Sequence, residues 1–381
     1  MVHVATTSPL ASTRRISLLG VGCAVPLVSC CAYALVVRLR RDRWALVRRH
    51  NYQWIRHIYQ SLAIYHFAWR LDRAYKLLPP PVDATDAFPG GSAVIAEILG
   101  SGPDTFQSKP SNVAQIESLL NCVCNLISGI RKTGATPLVL DIGAGKALFT
   151  RAVYEALERQ VAVVALDNRR ASDKDQFYDP PQSTLSNTLN EKPYSRIVAD
   201  VRHLAARTMA SMKEANNGGV IAITKHLCGG ATDGSLMALC QPPLDAHVGA
   251  CCLAPCCHQK AKKGQYCNIP FLESMGFCQT HVGLRGGVQD NDFKNFGMLI
   301  SMSRASDLRD WEYKKSTLLE LLGVVRAQDL GHKARRLLEE GRIRYLRDHG
   351  FDAHLVRYCD ASITGDNLAI IATKRAAVLV P

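Results

Sequence analysis

The chain has 381 residues, 47% hydrophobic and 21% charged, a balance that excludes a disordered tail, a collagen-like repeat and a multi-span membrane protein. Its 46 Lys and Arg against 33 Asp and Glu leave a formal charge of +13, which suits a polyanionic partner such as nucleic acid. The 14 cysteines are irregularly spaced, and several stand inside apolar runs. That pattern argues for reduced thiols rather than a secreted disulfide framework.

Ile16 to Val37 is an uncharged run of 22 residues, preceded by Arg14 and Arg15 and followed by Arg38, Arg40, Arg41 and Arg43. Such a length crosses a bilayer core of about 30 Å. Residues 1–37 therefore read as a membrane anchor, giving membrane association through 16–37, as an organelle-targeting or signal segment, or as an ordinary buried helix. Residues 38–82 mix arginines with aromatics. Trp54, Ile58, Leu62, Tyr65 and Trp69 recur at three and four, the spacing of an amphipathic helix. Aromatics between arginines suit stacking on RNA bases, and equally a packing helix with a solvated basic face. Pro79-Pro80-Pro81 ends that helix, and residues 83–110, rich in Gly, Pro and Ser, read as a linker.

From residue 111 to 381 the texture becomes that of one α/β domain. Pro137–Asp141 and Val161–Asp167 are apolar runs closing on an acid, with a helical pattern over Lys146–Arg159 between them. Arg196–Asp200, Gly219–Leu227 and Val248–Cys257 supply further strands. Gly331–His349 follows as a helix, then His354–Tyr358 and Leu368–Thr373 as strands. Alternating strands and helices predict a doubly wound sheet, whose ligands bind beyond the carboxyl ends of the strands.

At the first such end stands Asp141-Ile-Gly143-Ala-Gly145-Lys146. A phosphate-binding P-loop needs a glycine where Leu140 stands and Ser or Thr at Ala147; a dinucleotide fingerprint needs a glycine at Leu148. What remains is the acidic, glycine-bearing turn that takes S-adenosylmethionine. Asp141 would face the cationic methionine part, Gly143 and Gly145 would pass beneath it, and Lys146 opens the helix. Asp167, 22 residues after Gly145, is placed for the ribose hydroxyls, and Asp200 for the adenine. The competing reading has these acids merely capping loops. Two reactive clusters close the next strands: Lys225-His226-Leu-Cys228 with Asp233 after it, and Cys256-Cys257-His258.

DIGAGKALFT, ADVRHL, KHLCGGATD and CCH occur in that order, followed by LGHKARRLLEEGRIRYLRDHGF and SITGDNLAIIAT. Over about Pro137 to Thr373 the chain resembles the eukaryotic tRNA 2′-O-methyltransferases that modify the fourth nucleotide of the acceptor stem. The resemblance implies a class I, Rossmann-like methyltransferase fold with a mostly parallel seven-stranded sheet and a C-terminal β-hairpin. It further implies S-adenosyl-L-methionine as cofactor, tRNA as partner, and a place in cytoplasm or nucleus; the N-terminal run adds a membrane-anchored or organellar alternative. The chain departs from the family at Gln259 and Ala261, where a second basic or His residue and another Cys are usual. Family members also begin with small Cys/His zinc modules, and no such pattern precedes the linker here.

A ribose hydroxyl needs a base within reach or a cation for the developing alkoxide. Lys225 is the candidate cation or base, His258 the candidate general base with His226 as alternate, and Asp233 the residue that orients one of them. A zinc site from Cys228, Cys256, Cys257 and His258 is not expected, because successive side chains of a strand point to opposite faces. No metal is assigned. Lys262 and Lys263 in a loop, and Arg335, Arg336 and Arg342 on the late helix, are the candidate phosphate contacts. Two other readings fit the same residues: a catalytically silent RNA- or protein-binding relative, and a methyltransferase with a non-tRNA acceptor.

Overall fold

The computed structural model describes residues 53–84, 86–100, 109–131, 136–169, 194–204, 217–278, 281–282, 288–289, 291–306 and 317–375. The apolar run 16–37 lies outside them. The chain divides into two units, Met1–Arg70 and Leu71–Pro381.

Helix α1, Gln53–Tyr75, crosses that division and stops just before the three prolines. Its burial differs from the expected stripe. Ile58, Tyr65 and Trp69 are 49%, 47% and 40% exposed, whereas Phe67, Ala68, Leu71 and Ala74 are buried. The aromatic spacing marked a face of the helix; burial falls on the neighbouring stripe of mostly smaller side chains.

In the second unit, β1 (Val82–Asp83), α2 (Gly91–Gly100) and α3 (Pro110–Arg131) precede the first long strand. The described part of the stretch read as a linker, residues 83–84, 86–100 and 109–110, holds regular elements: β1 pairs with a late strand, and Ile95 and Ile98 of α2 enter the core. Gly90 and Gly91 stand where α2 begins, and Pro110 opens α3. By length and composition α3 could cross a membrane, but Ile116, Leu119, Leu120, Val123 and Ile127 are packed in the core, which makes it a core helix.

The remaining elements are β2 (Thr136–Ile142), α4 (Leu148–Ala156), β3 (Ala162–Asp167), β4 (Tyr194–Val198), β5 (Asn217–Cys228), α5 (Gly230–Leu239) and β6 (Val248–Cys256). After these come α6 (Ile269–Ser274), the paired two-residue strands β7 (His281–Val282) and β8 (Val288–Gln289), and α7 (Asn291–Ser303). The chain closes through α8 (Thr317–Leu322), α9 (Val324–Asp348), β9 (Phe351–Arg357) and β10 (Leu368–Lys374).

Among the described residues the main sheet is mixed and has eight strands, in the order β1-β9-β10-β6-β5-β2-β3-β4. The expected seven-stranded count changes because the short edge strand β1 joins β9 in parallel. Only β10 runs antiparallel to its neighbours, inserted between β6 and β9 as the second arm of the expected C-terminal hairpin. Successive side chains alternate between two cores. Val139, Ile221, Ile223 and Cys252 face α2, α3 and α4, while Leu138, Leu140, Ala222 and Leu253 face α5 and the end of α9. Each fully buried Leu or Ile here contributes about 1.5–3 kcal/mol.

The chain leaves β2 toward β3 and β4, then returns to β5 and β6 on the other side. The reversal between β2 and β5 opens a crevice at their carboxyl ends, where a doubly wound sheet binds its ligands.

Candidate active site

Asp141 closes β2 almost wholly buried, at 2% exposure. Burial pushes its carboxyl up to about 7; the Thr150 hydroxyl donates to it and opposes the rise, while Asp167 adds repulsion. The turn that follows folds onto β3, with the amides of Gly143 and Ala144 both donating to the Leu166 carbonyl at 2.8 and 3.0 Å. Gly143 has φ +77°, a left-handed conformation that strains any side chain, and a Cβ there would press within 2.9 Å of Leu227 Cδ1. Gly145, at φ +53°, has open space where its Cβ would be, which leaves a cradle above the turn.

Asp167 holds this cradle in place. One oxygen accepts from the Gly145 amide and the other from the Arg169 amide, each at 2.9 Å. Each carboxylate oxygen keeps a further lone pair for a ligand hydroxyl. Lys146 is exposed beside Gly145, and Asp200 follows β4 at the same edge, half-buried. Arg196 of β4 donates to the Gly145 carbonyl at 3.0 Å. The acids and glycines named from sequence therefore do share one edge. Thr150 and Arg196 were missed; the signal for Arg196 was a basic residue inside an otherwise apolar strand.

At the tip of β5 Lys225 is half-buried, and its ammonium donates to Asn112 Oδ1 on α3. Burial lowers its pKa to about 8, with Cys256, Cys359 and Asp141 opposing the drop. No sequence signal links Asn112 to this lysine, since 113 residues separate them. His226 is exposed; the protein around its strand tip nonetheless lowers its pKa, and the Lys225 charge adds to that.

Other candidates are placed elsewhere. His258, expected as the general base, is 1% exposed, and its Nε2 lies 3.1 Å from Oε1 of the fully buried Glu339 on α9. A side chain sealed under a helix cannot meet a polynucleotide. Asp233 orients neither lysine nor histidine; it is fully buried in an ion pair with Arg342. Arg342 is therefore no phosphate contact, and neither are Arg335 and Arg336. Arg335 donates to the Gly365 carbonyl at 2.8 Å and pairs with Asp366; Arg336 pairs with Glu340 at 3.1 Å. The periodicity that suggested a basic surface face belongs instead to a helix enclosed on several sides, whose charges neutralise one another within the fold. Lys262 is exposed and Lys263 half-exposed, so this loop does reach solvent.

The alternation that argued against a cysteine cluster also breaks down. Cys257 adopts the left-handed conformation, φ +46° and ψ +47°, which ends the strand's alternation. The thiols of Cys228, Cys256 and Cys257 consequently gather within 4.8 Å of one another. The hydrogen bond between Cys228 and Cys256 lowers the pKa of Cys228 and raises that of Cys256.

A carboxyl-lined glycine cradle at the switch point of this strand order defines a doubly wound α/β fold of the methyltransferase type. The chain belongs to the family described as Methyltransferase TRM13, whose model matches residues 117–373. Curated relatives named "tRNA:m(4)X modification enzyme TRM13" include those of Kluyveromyces lactis, 28% identical over 41% of this chain and 36% of that one, and Eremothecium gossypii, 31% identical over 41% and 34%. The Saccharomyces cerevisiae relative is 23% identical over 71% of this chain and 65% of its own. The matches thus span about a third to two-thirds of these relatives' lengths. Among solved structures, the plantazolicin methyltransferase BpumL seen with SAH and a pentazolic analogue has a TM-score of 0.32 at 11% identity over 75% of this chain and 97% of that one, too loose a match to carry weight.

Proposed function

We propose that this protein transfers a methyl group from S-adenosylmethionine to a ribose 2′-hydroxyl of tRNA, at the fourth nucleotide of the acceptor stem. The observation that carries the reading is the convergence of Asp141, the Gly143–Gly145 cradle, Asp167 and Lys225 on one edge of the sheet. A buried carboxyl raised to about 7 is stabilised by a cation, and acids at the ends of β3 and β4 accept hydroxyls. This donor set fits a ligand that is both cationic and a nucleoside. The relatives' names supply tRNA as the substrate class.

When bound, S-adenosylmethionine supplies an activated methyl group, which leaves alignment and one proton to the protein. Lys225, lowered to about 8, is the residue that takes the hydroxyl proton, and Asn112 aims its nitrogen. His226 lies next to it as the alternate base. The test uses the full chain with isotopically labelled S-adenosylmethionine and unmodified tRNA transcripts, followed by nuclease mapping of the labelled nucleoside. A 2′-O-methyl mark at the fourth acceptor-stem position, lost in Asp141→Ala, is the expected result. Label on a base, or on no tRNA despite cofactor binding, would overturn the reading.

A further inference from the structure

We propose that Cys228, Cys256 and Cys257 form a binding site for a thiophilic divalent cation, zinc being the ion they fit. Cys228 and Cys256 are register partners on the parallel strands β5 and β6, and their sulfurs lie 3.3 Å apart. The left-handed turn at Cys257 brings the third sulfur round to the same side, and all three lie within 4.8 Å of one another. Three thiolates around one zinc at about 2.3 Å stand about 3.8 Å from each other, so the cluster closes on an ion with sub-ångström shifts.

The turn is held by its surroundings. The Gly229 amide donates to the Cys256 carbonyl at 3.2 Å, and the Lys260 amide to the Cys257 carbonyl at 2.9 Å. A Cβ on Gly229 would stand 2.7 Å from the Lys260 backbone, so the loop after Cys257 sits directly on the glycine after Cys228. A non-glycine residue kept at positive φ in a tightly seated loop is the kind of local strain that marks functional sites. Ligation by three thiolates selects zinc-like ions over magnesium or calcium, which take oxygen.

His258 adds no ligand, because its ring is turned to Glu339. Cys256 is buried while Cys228 and Cys257 are half-buried, so the fourth position faces solvent and takes water or an exchangeable donor. The bound ion ties the tip of β5, which carries Lys225 and His226, to the loop after β6.

Full-length protein, reduced and stripped of metal, is titrated with cobalt(II) and then zinc(II). One cobalt per chain is expected, with thiolate-to-cobalt charge-transfer bands that zinc abolishes. Cys228→Ser and Cys257→Ser should each weaken binding by at least about 100-fold, since a ligand matters no less than the groups that support it. A chain with Cys23, Cys30 and Cys31 changed to Ala should bind as before. Independently of the variants' folding, zinc should protect Cys228 and Cys257 of the unaltered chain from alkylation, read by peptide mass mapping. Absence of the bands, their survival in both Ser variants, or alkylation indifferent to zinc would overturn the proposal. So would a Cys228–Cys256 disulfide that forms in the presence of zinc.

Discussion

Arg342 donates from Nε and Nη2 to the two carboxylate oxygens of Asp233 at 3.0 and 2.8 Å, and neither side chain reaches solvent. Desolvation works against the arginine's charge, but Asp233 outweighs it and holds the guanidinium above its usual range. Breaking such a pair strands a buried charge. Arg342→Met should therefore cost about 3–5 kcal/mol in urea unfolding, and adding Asp233→Leu should recover much of it. A large loss of tRNA affinity in the folded Arg342→Met protein, with little loss of stability, would contradict this structural role.

In the role proposed for Asp141, opposite the cofactor's cation, its raised pKa sets the pH dependence of cofactor binding. Pairing with a cation needs the ionised carboxyl, so affinity should fall about tenfold per pH unit below about 7 and level off above it. Calorimetry in two buffers of different ionisation heat should show proton release on binding near pH 6. In the free protein the folded pKa lies above the unfolded 3.8, so stability from this group is lost as pH rises from 3.8 through about 7. Asp141→Asn should flatten both dependences and weaken binding.

Lys225 should leave its mark on the rate of transfer. As the base it must be neutral, so kcat should rise tenfold per pH unit and level near pH 8. Lys225→Met should lower kcat by about 10²–10⁴ with little change in cofactor affinity. A rate that instead falls above pH 8 would assign the ammonium form to the alkoxide and remove the lysine from proton transfer.

His258→Gln separates a structural histidine from a catalytic one. Glu339 is fully buried; burial pushes its pKa up, yet His258, Arg335 and Arg336 together hold it below the usual range. Removing His258 should lower the melting temperature and leave the pH positions of the kcat limbs unchanged. Movement of a limb would return His258 to the reaction.

Lys262 and Lys263 are the sequence-named RNA contacts that the fold keeps at the surface. Changing both to Ala should weaken tRNA binding and shrink the slope of log K against log salt by about 1 for each phosphate no longer neutralised. An unchanged slope would place the tRNA backbone on another face.

The sheet edge that gathers Asp141, Gly143, Gly145 and Asp167 was legible because its logic is local. An apolar run, an acid, then glycines of fixed spacing identify a strand, its end and a turn without knowledge of what packs around them, and β2, β3 and β5 follow those limits within two residues. Misreadings concentrate where a side chain's neighbours come from far along the chain. Arg335, Arg336 and Arg342 look alike in sequence to a solvated basic stripe, and only the packing of α9 shows them buried.

The sequence by itself thus determined the alternation of strands and helices, the acidic glycine turn and the family motifs, all of which are set by short-range pattern and backbone chemistry. Tertiary structure alone decided which polar side chains are sealed in pairs, Asp233 with Arg342 and His258 with Glu339, because burial depends on elements up to 109 residues apart. It also decided that Lys225 donates to Asn112, and that one left-handed residue, Cys257, turns three separate thiols into a cluster. A carboxylate or a thiol carries the same chemistry in any sequence; its role follows from what the fold brings within a few ångströms of it.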